Sequence, residues 1–324
     1  MSIYRLEVSD RPVLASPVAV VWEETACTLC GRDQAELIAE AADPLPPEGG
    51  GLRFALVRCR HCGLTYTNPR PSPESISRFY PSDYSPHQRR PAARRRRVRP
   101  WLWHRLFGRP CPERRGYIRG MKPGRLLDVG CGGGSYLKRM ADLGWAVTGL
   151  DPAAGVVQAV RDSVGCEVFV GTLPHPDLRP GTFDLVTLWQ VLEHVHEPLA
   201  TLREVRRLLV PGGRVVVAVP NFASLPAKWF GPHWFGLDLP RHLTHFTPAT
   251  LRDTLRAAGF LVESLRGLVH GDWLRKSAAR KLRSGQGGVA SRLLRWKPAA
   301  RAVAWACYAL GRAEALVAVA RRPA

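Results

Sequence analysis

Three groups of residues in this chain have the types and spacing to do chemistry. Four cysteines form two Cys-x-x-Cys pairs, Cys27/Cys30 and Cys59/Cys62, each followed by glycine. Each pair is a turn that presents two thiolates to one ion, and the two together complete a closed tetrahedral set suited to structural zinc. Four thiolates leave no position for a metal-bound water, although His61 inside the second turn adds a further ligand type. The second group is the turn Asp128-x-Gly130-x-Gly132-x-Gly134, with Asp151 placed 21 residues after Gly130. Between a strand and a helix, such glycines bring backbone close to a ligand and aim helix N–H groups at an anion. A carboxylate ending the following strand can grip both hydroxyls of a ribose. The third group is "DLPRHLTHFTP", residues 238–248, which follows the aromatic run "KWFGPHWFG".

The elements that must hold these groups are legible as an alternation. From residue 121, short apolar runs alternate with amphipathic helices, the rhythm of a parallel α/β sheet. "GRLLDVGCGGGSYLKRMADLG" reads as strand, glycine turn and helix, and "WAVTGLDP", "CEVFVG" and "FDLVTLWQVLEHV" hold the next three strands. A fifth strand falls in "PGGRVVVAVPN", a sixth in "FLVESLRG" and a last in "EALVAVARR". This predicts a zinc-binding module over residues 1–85, a basic linker over 86–120 and a catalytic-type domain over 121–324. In the module, "SPE" opens a short helix carrying Ile76, Phe79 and Tyr80. Residues 270–312 form a basic amphipathic insert, read as a hairpin broken at "SGQGG".

The charge is strongly positive, +20 from 47 Lys and Arg against 27 Asp and Glu. Seven of those Arg lie in residues 89–99 with no acid among them, and residues 270–312 hold ten Lys or Arg against one Asp. Such patches admit an anionic membrane surface or a nucleic acid as partner, and equally a solvated face. The start of the chain lacks a basic stretch followed by an apolar run, and no window is apolar enough to span a bilayer. Cys111, Cys131, Cys166 and Cys307 are scattered singly. A reducing, cytoplasmic setting is therefore expected, with peripheral contact at the inner membrane face through 270–312.

"LLDVGCGGGSYL", "FDLVTLWQVLEHVHEP" and "LLVPGGRVVVAVPN" together resemble the class I S-adenosylmethionine-dependent methyltransferases, over about residues 115–324. "VRCRHCGLTYTNPRP" and "DLPRHLTHFTPATL" resemble a bacterial subgroup of that family with a cysteine-knuckle front end. The resemblance implies a Rossmann-like seven-stranded sheet with helices on both faces and an antiparallel last strand. It also implies that Gly130, Gly132 and Gly134 lie against the methionine part of the cofactor and that Asp151 binds the ribose. Asp128 orients the turn or meets the amino group, Thr172 and Leu173 stand where relatives place an adenine contact, and Gln190 and Val191 face the cofactor. Glu193 and His194 are read as residues that brace the sheet.

In this fold the acceptor closes over the ends of the fourth and fifth strands, so residues 238–248 lie beside it. Three readings remain for them. His242 and His245 could bind metal, with Asp238 or His233 as further ligands. The segment could be a loop tied down by hydrogen bonds, with Thr247-Pro248 starting the next helix. Or His242 or His245 could act as base, with Arg241 steadying an anionic group and Trp229, His233 and Trp234 in the acceptor pocket. The implied activity is methyl transfer to a small-molecule, sugar or lipid-linked acceptor. Its rival is an RNA methyltransferase with a zinc-knuckle recognition module, which the missing RNA-binding motif disfavours.

Overall fold

The computed structural model describes residues 20–44, 52–80, 117–118 and 120–324. The arginine run at 89–99, Trp101, Trp103 and Cys111 lie outside the described residues.

Seven strands form the large sheet: β6 (Arg125–Val129), β7 (Ala146–Asp151), β8 (Glu167–Val170), β9 (Phe183–Trp189), β10 (Leu209–Pro220), β12 (Leu261–Leu268) and β13 (Ala315–Arg321). Their order is β12-β13-β10-β9-β6-β7-β8, with β6 to β10 parallel and β13 antiparallel to both of its neighbours. This is the class I methyltransferase sheet, including the reversed last strand. Central strands such as β6, β9 and β10 are nearly continuous apolar runs because helices cover both faces. One layer of core joins Leu127, Val186, Val215 and Leu202, and the opposite layer joins Leu126, Leu137, Leu185 and Val216.

The helices of this domain begin with α1 (Ser135–Ala141), α2 (Ala154–Val164), α3 (Pro198–Leu208), α4 (Leu225–Phe230) and α5 (Pro248–Ala257). Buried Leu202, Val205 and Leu208 fall on one stripe of α3, the spacing that seats a helix on a sheet. Helix α5 starts as the sequence predicts: the Thr247 side chain accepts from the Thr250 N–H, Thr250 returns the bond, and Pro248 opens the first turn.

The N-terminal residues build a smaller antiparallel sheet from β2 (Ala35–Ala42), β3 (Arg53–Cys59) and β4 (Thr65–Thr67). Its fourth strand, β11 (Thr244–His245), comes from the far end of the loop after β10, giving the order β11-β4-β3-β2. A ribbon of β1 (Trp22–Glu23) and β5 (Arg70–Pro71) lies beside it. The predicted helix near Ile76 is a single tight 3-10 turn over Ile76–Phe79.

Between β12 and β13 the hairpin expectation is corrected. The insert is three helices, α6 (Gly271–Arg283), α7 (Val289–Leu294) and α8 (Lys297–Ala309). Pro298 sits in the first turn of α8, where its missing N–H costs nothing, so α7 ends and a new helix begins. Among the described residues no helix is long and apolar enough to cross a membrane.

Candidate functional site

The glycine turn sits at the C-terminal edge of the large sheet, between β6 and α1. Gly130, Gly132 and Gly134 all take positive φ, at 68°, 48° and 70°, which glycine alone adopts without strain. A Cβ on Gly130 would stand 2.5 Å from Cγ2 of Val191, so the turn after β6 and the turn after β9 pack directly together. Asp151 is buried; its Oδ2 accepts from the Gly132 N–H at 2.9 Å and its Oδ1 from the Ala153 N–H at 3.0 Å. Both carboxylate oxygens are thereby aimed, and each keeps a further lone pair for a ligand. Buried Asp128 accepts from the Thr187 hydroxyl at 2.6 Å, which fixes β6 to β9 under the turn. Gln190 has φ of 59°, unusual for a residue with a side chain, and its buried Nε2 finds no acceptor among the described residues. A donor held in that way beside a glycine cradle is what a polar cofactor needs. Thr172 is exposed and Leu173 half-buried in the turn after β8, where the Gly171 N–H bonds to the Asp151 carbonyl at 3.0 Å.

The residues of 238–248 are spread over different tasks. Arg241 is fully buried and all its donors are used: Nε on Asp238, both Nη on Asp43, Nη1 also on the Phe79 carbonyl and Nη2 on the Leu239 carbonyl. It therefore has no N–H left to steady an acceptor, and that expectation is corrected. Burial opposes the Asp238 carboxylate, but the charges of Arg241 and Arg280 and the Arg241 hydrogen bond hold it well below the usual range. His242 bonds through Nδ1 to the Gly236 carbonyl at 2.9 Å, and burial pushes its basicity well down, helped by His194. His245 faces the Thr67 hydroxyl at 3.4 Å, and burial lowers it to about 3. Trp234 is buried core, packed with Phe230, Leu239 and Leu274. Trp229 and His233 lie toward the insert, where Lys281 donates to the Trp229 carbonyl and His233 meets Gln286 and Ser284. The aromatic wall expected around the histidines is thus not assembled from these residues.

A different cluster stands at the mouth of the turn after β9. His194 Nδ1 lies 3.0 Å from the Arg241 carbonyl and 3.0 Å from the Tyr80 hydroxyl. A carbonyl only accepts, so Nδ1 carries the hydrogen and Nε2 carries the lone pair. The His194 and His242 rings meet edge to face with centroids 4.5 Å apart. Glu193 is wholly buried, neither carboxylate oxygen finds a partner among the described residues, and burial raises its pKa well above the usual carboxylate range. Glu193, His194 and His242 bring ligand atoms within 4.8 Å of one another, a set able to pass a proton or hold a divalent cation. Sequence reasoning gave His194 only a bracing role. Its signal was an adjacent acid and histidine inside the apolar run "VLEHV", costly to bury unless used.

The four cysteines of the knuckle converge. Cys27 and Cys62 sulfurs stand 3.4 Å apart, Cys30 and Cys59 sulfurs 3.5 Å apart, and all four thiols are free. A Zn–S length of about 2.3 Å gives tetrahedron edges of about 3.8 Å, so the donor set fits zinc after a small expansion. Burial opposes the Cys59 thiolate, but the N–H groups of Cys62 and His61 outweigh it and bring the thiol down to about 7. Gly31 and Gly63 follow the pairs at φ of 72° and 73°, closing both turns. Cys27, Cys59, Leu64 and Tyr66 pack into the same core as β6 and β9, so the knuckle rests on the large sheet.

A sheet of this order, with a glycine turn after its first parallel strand, defines a class I S-adenosylmethionine-dependent methyltransferase. The chain belongs to the methyltransferase-domain family, whose model matches residues 89–265. It is similar to the ubiquinone biosynthesis O-methyltransferase of Xanthomonas euvesicatoria pv. vesicatoria, at 35% identity over 161 residues, 46% of this chain and 67% of that one. The enzyme of that name from Xanthomonas campestris pv. campestris (strain B100) is also 35% identical, over 50% of this chain and 74% of its own. Among solved structures, an S-adenosylmethionine-dependent methyltransferase from Mesorhizobium loti matches at 21% identity and a TM-score of 0.45, covering 64% of this chain and 96% of its own.

Proposed function

We propose that the protein methylates a hydroxyl oxygen of a small-molecule, sugar or lipid-linked acceptor in a biosynthetic pathway, with His194 as the base. S-adenosylmethionine, when bound, supplies a methyl group already made electrophilic by its sulfonium. The glycine turn, the aimed carboxylate of Asp151 and the Gln190 amide are the groups that would hold it. What remains for the chain is to orient the acceptor and take its proton. His194 suits that task. The Arg241 carbonyl fixes its tautomer, its Nε2 is the basic nitrogen, and it follows Val191 in the turn that packs on the glycine loop. His242 and His245 are too deeply buried and too weakly basic to start the transfer; they hold the loop. The Tyr80 phenol, kept protonated by burial, borders the same imidazole.

The observation that carries this reading is the Tyr80–His194–Arg241 arrangement at the edge of the cofactor cradle. The relatives named for O-methylation in ubiquinone biosynthesis support an oxygen acceptor of modest size. The four-cysteine knuckle is inferred to hold structural zinc, which would keep β4 in place against β11. The deciding experiment is transfer of labelled methyl groups from S-adenosylmethionine into a fractionated extract. Label in a small-molecule or lipid pool that an alkyl-ether analysis assigns to oxygen supports the reading; label confined to RNA overturns it.

A further inference from the structure

We infer that the helical insert α6–α8 is a docking face for an anionic lipid bilayer, with Val289, Leu293 and Trp296 entering the interface. This goes beyond the proposed reaction and does not depend on it.

The insert has two unlike sides. Leu274, Ala278, Ala300 and Ala304 are buried together with Phe54, Phe230 and Trp234, which fixes the helices to the body of the protein. On the other side, Val289 is 79% exposed, Leu293 57% and Trp296 62%. These three fall within eight consecutive residues of α7 and the turn that follows it, and so form one apolar ridge. A solitary exposed leucine needs no explanation, but a ridge of this kind invites a partner.

Its surroundings name that partner's chemistry. Arg292 and Arg295 flank the ridge, both exposed, and neither guanidinium has an acidic partner among the described residues. With Arg275, Leu282 and Trp296 they border an open hollow of about 620 Å³. The one acid of 270–312, Asp272, is already paired with Arg275 at 3.0 Å. Guanidinium groups around a tryptophan, with aliphatic side chains between them, match the phosphate layer and upper acyl region of a bilayer. Basic groups near an anionic leaflet add an electrostatic attraction that a lone apolar ridge would lack. A second copy of the same face would bring like charges together. RNA would leave Val289 and Leu293 without a role.

The insert is also stitched to the loop after β10. Arg280 bonds to Asp238 and to the Trp234 and Phe235 carbonyls, and Ser277 accepts from the Phe235 N–H. A docked insert therefore brings that loop to the membrane surface, where an amphiphilic acceptor resides.

The test is sedimentation of the full chain with vesicles of phosphatidylcholine alone or mixed with phosphatidylglycerol. Binding is expected only to the mixed vesicles, weakening as salt is raised. Leu293→Ser/Trp296→Ser should cut it by roughly tenfold or more, and Arg292→Glu/Arg295→Glu should abolish it. Brominated lipid should quench fluorescence in the wild type and less in Trp296→Phe, a reading that stands even if a multiple variant fails to fold. Absence of binding at low salt, or binding unchanged in both double variants, overturns the inference. So does a dimer dispersed by Leu293→Ser/Trp296→Ser without vesicle binding, or a salt-sensitive RNA shift in its place.

Discussion

Arg241 and Asp43 stand 198 positions apart in the chain and form a two-pronged ion pair, Nη2 to Oδ1 at 2.7 Å and Nη1 to Oδ2 at 3.2 Å. Both side chains are almost wholly buried. The pair joins the end of β2 to the loop after β10, and the Arg241 carbonyl in turn orients His194. Asp43→Ala leaves a buried guanidinium short of one counter-charge, for which about 3–5 kcal/mol of lost stability is expected. Denaturant unfolding measures it; a loss below about 1 kcal/mol would mean that Asp238 alone suffices for Arg241.

His194→Gln should lower kcat by a factor of about 10²–10⁴ while leaving S-adenosylmethionine affinity unchanged. It should also remove the acidic limb of the kcat–pH profile. His245→Gln provides the contrast, because a histidine lowered to about 3 is neutral across the working range. Its profile should keep the wild-type shape. If His245→Gln flattens the limb and His194→Gln does not, the base has been misassigned.

Asp151→Asn keeps the side-chain shape but removes the charge that the turn N–H groups aim. Calorimetry should show S-adenosylmethionine binding weakened by at least about tenfold, near 1.4 kcal/mol. Equal affinity in the two proteins would remove Asp151 from the cofactor site.

The large sheet was legible because its signals are local. Apolar runs of strand length, a glycine turn and helix stripes each lie within about twenty residues, and β6 to β10 follow them in order. The Thr247 cap was within reach for the same reason, whereas the antiparallel last strand followed only from the resemblance to the methyltransferase family. Arg241 was not legible, because its role depends on Asp43 and Phe79, which only the folded chain brings to it. Tyr80 and His194 meet only in space, so the base was sought in the histidine-rich loop instead. The split of α7 from α8 could have been read from Pro298, whose place just after Trp296-Lys297 marks a fresh helix start.

Metal analysis should give zinc near one per chain, lost in Cys27→Ser/Cys59→Ser together with a lower melting temperature. Because β4 pairs with β11, catalysis should fall along with stability. Metal near two per chain, with one retained by the cysteine variant, would assign the second to Glu193, His194 and His242.

Glu314, buried just before β13, has its carboxyl raised by burial to about 8 from an ordinary 4.5. The folded chain therefore keeps a proton that the unfolded chain releases between those values. This stability is full below the unfolded value and is lost as pH rises toward 8. Glu314→Gln should flatten that decline and, near pH 8, gain on the order of a few kcal/mol. Melting curves across pH 5–9 check it; parallel curves for the two proteins would contradict the assignment.

The pairing of β4 with β11 has a consequence for how such enzymes diversify. A recombination event that exchanged the N-terminal residues through Tyr80 alone would part Thr244–His245 from its strand neighbour and His194 from Tyr80. The unit that can be inherited intact is discontinuous, comprising the knuckle and the segment after β10.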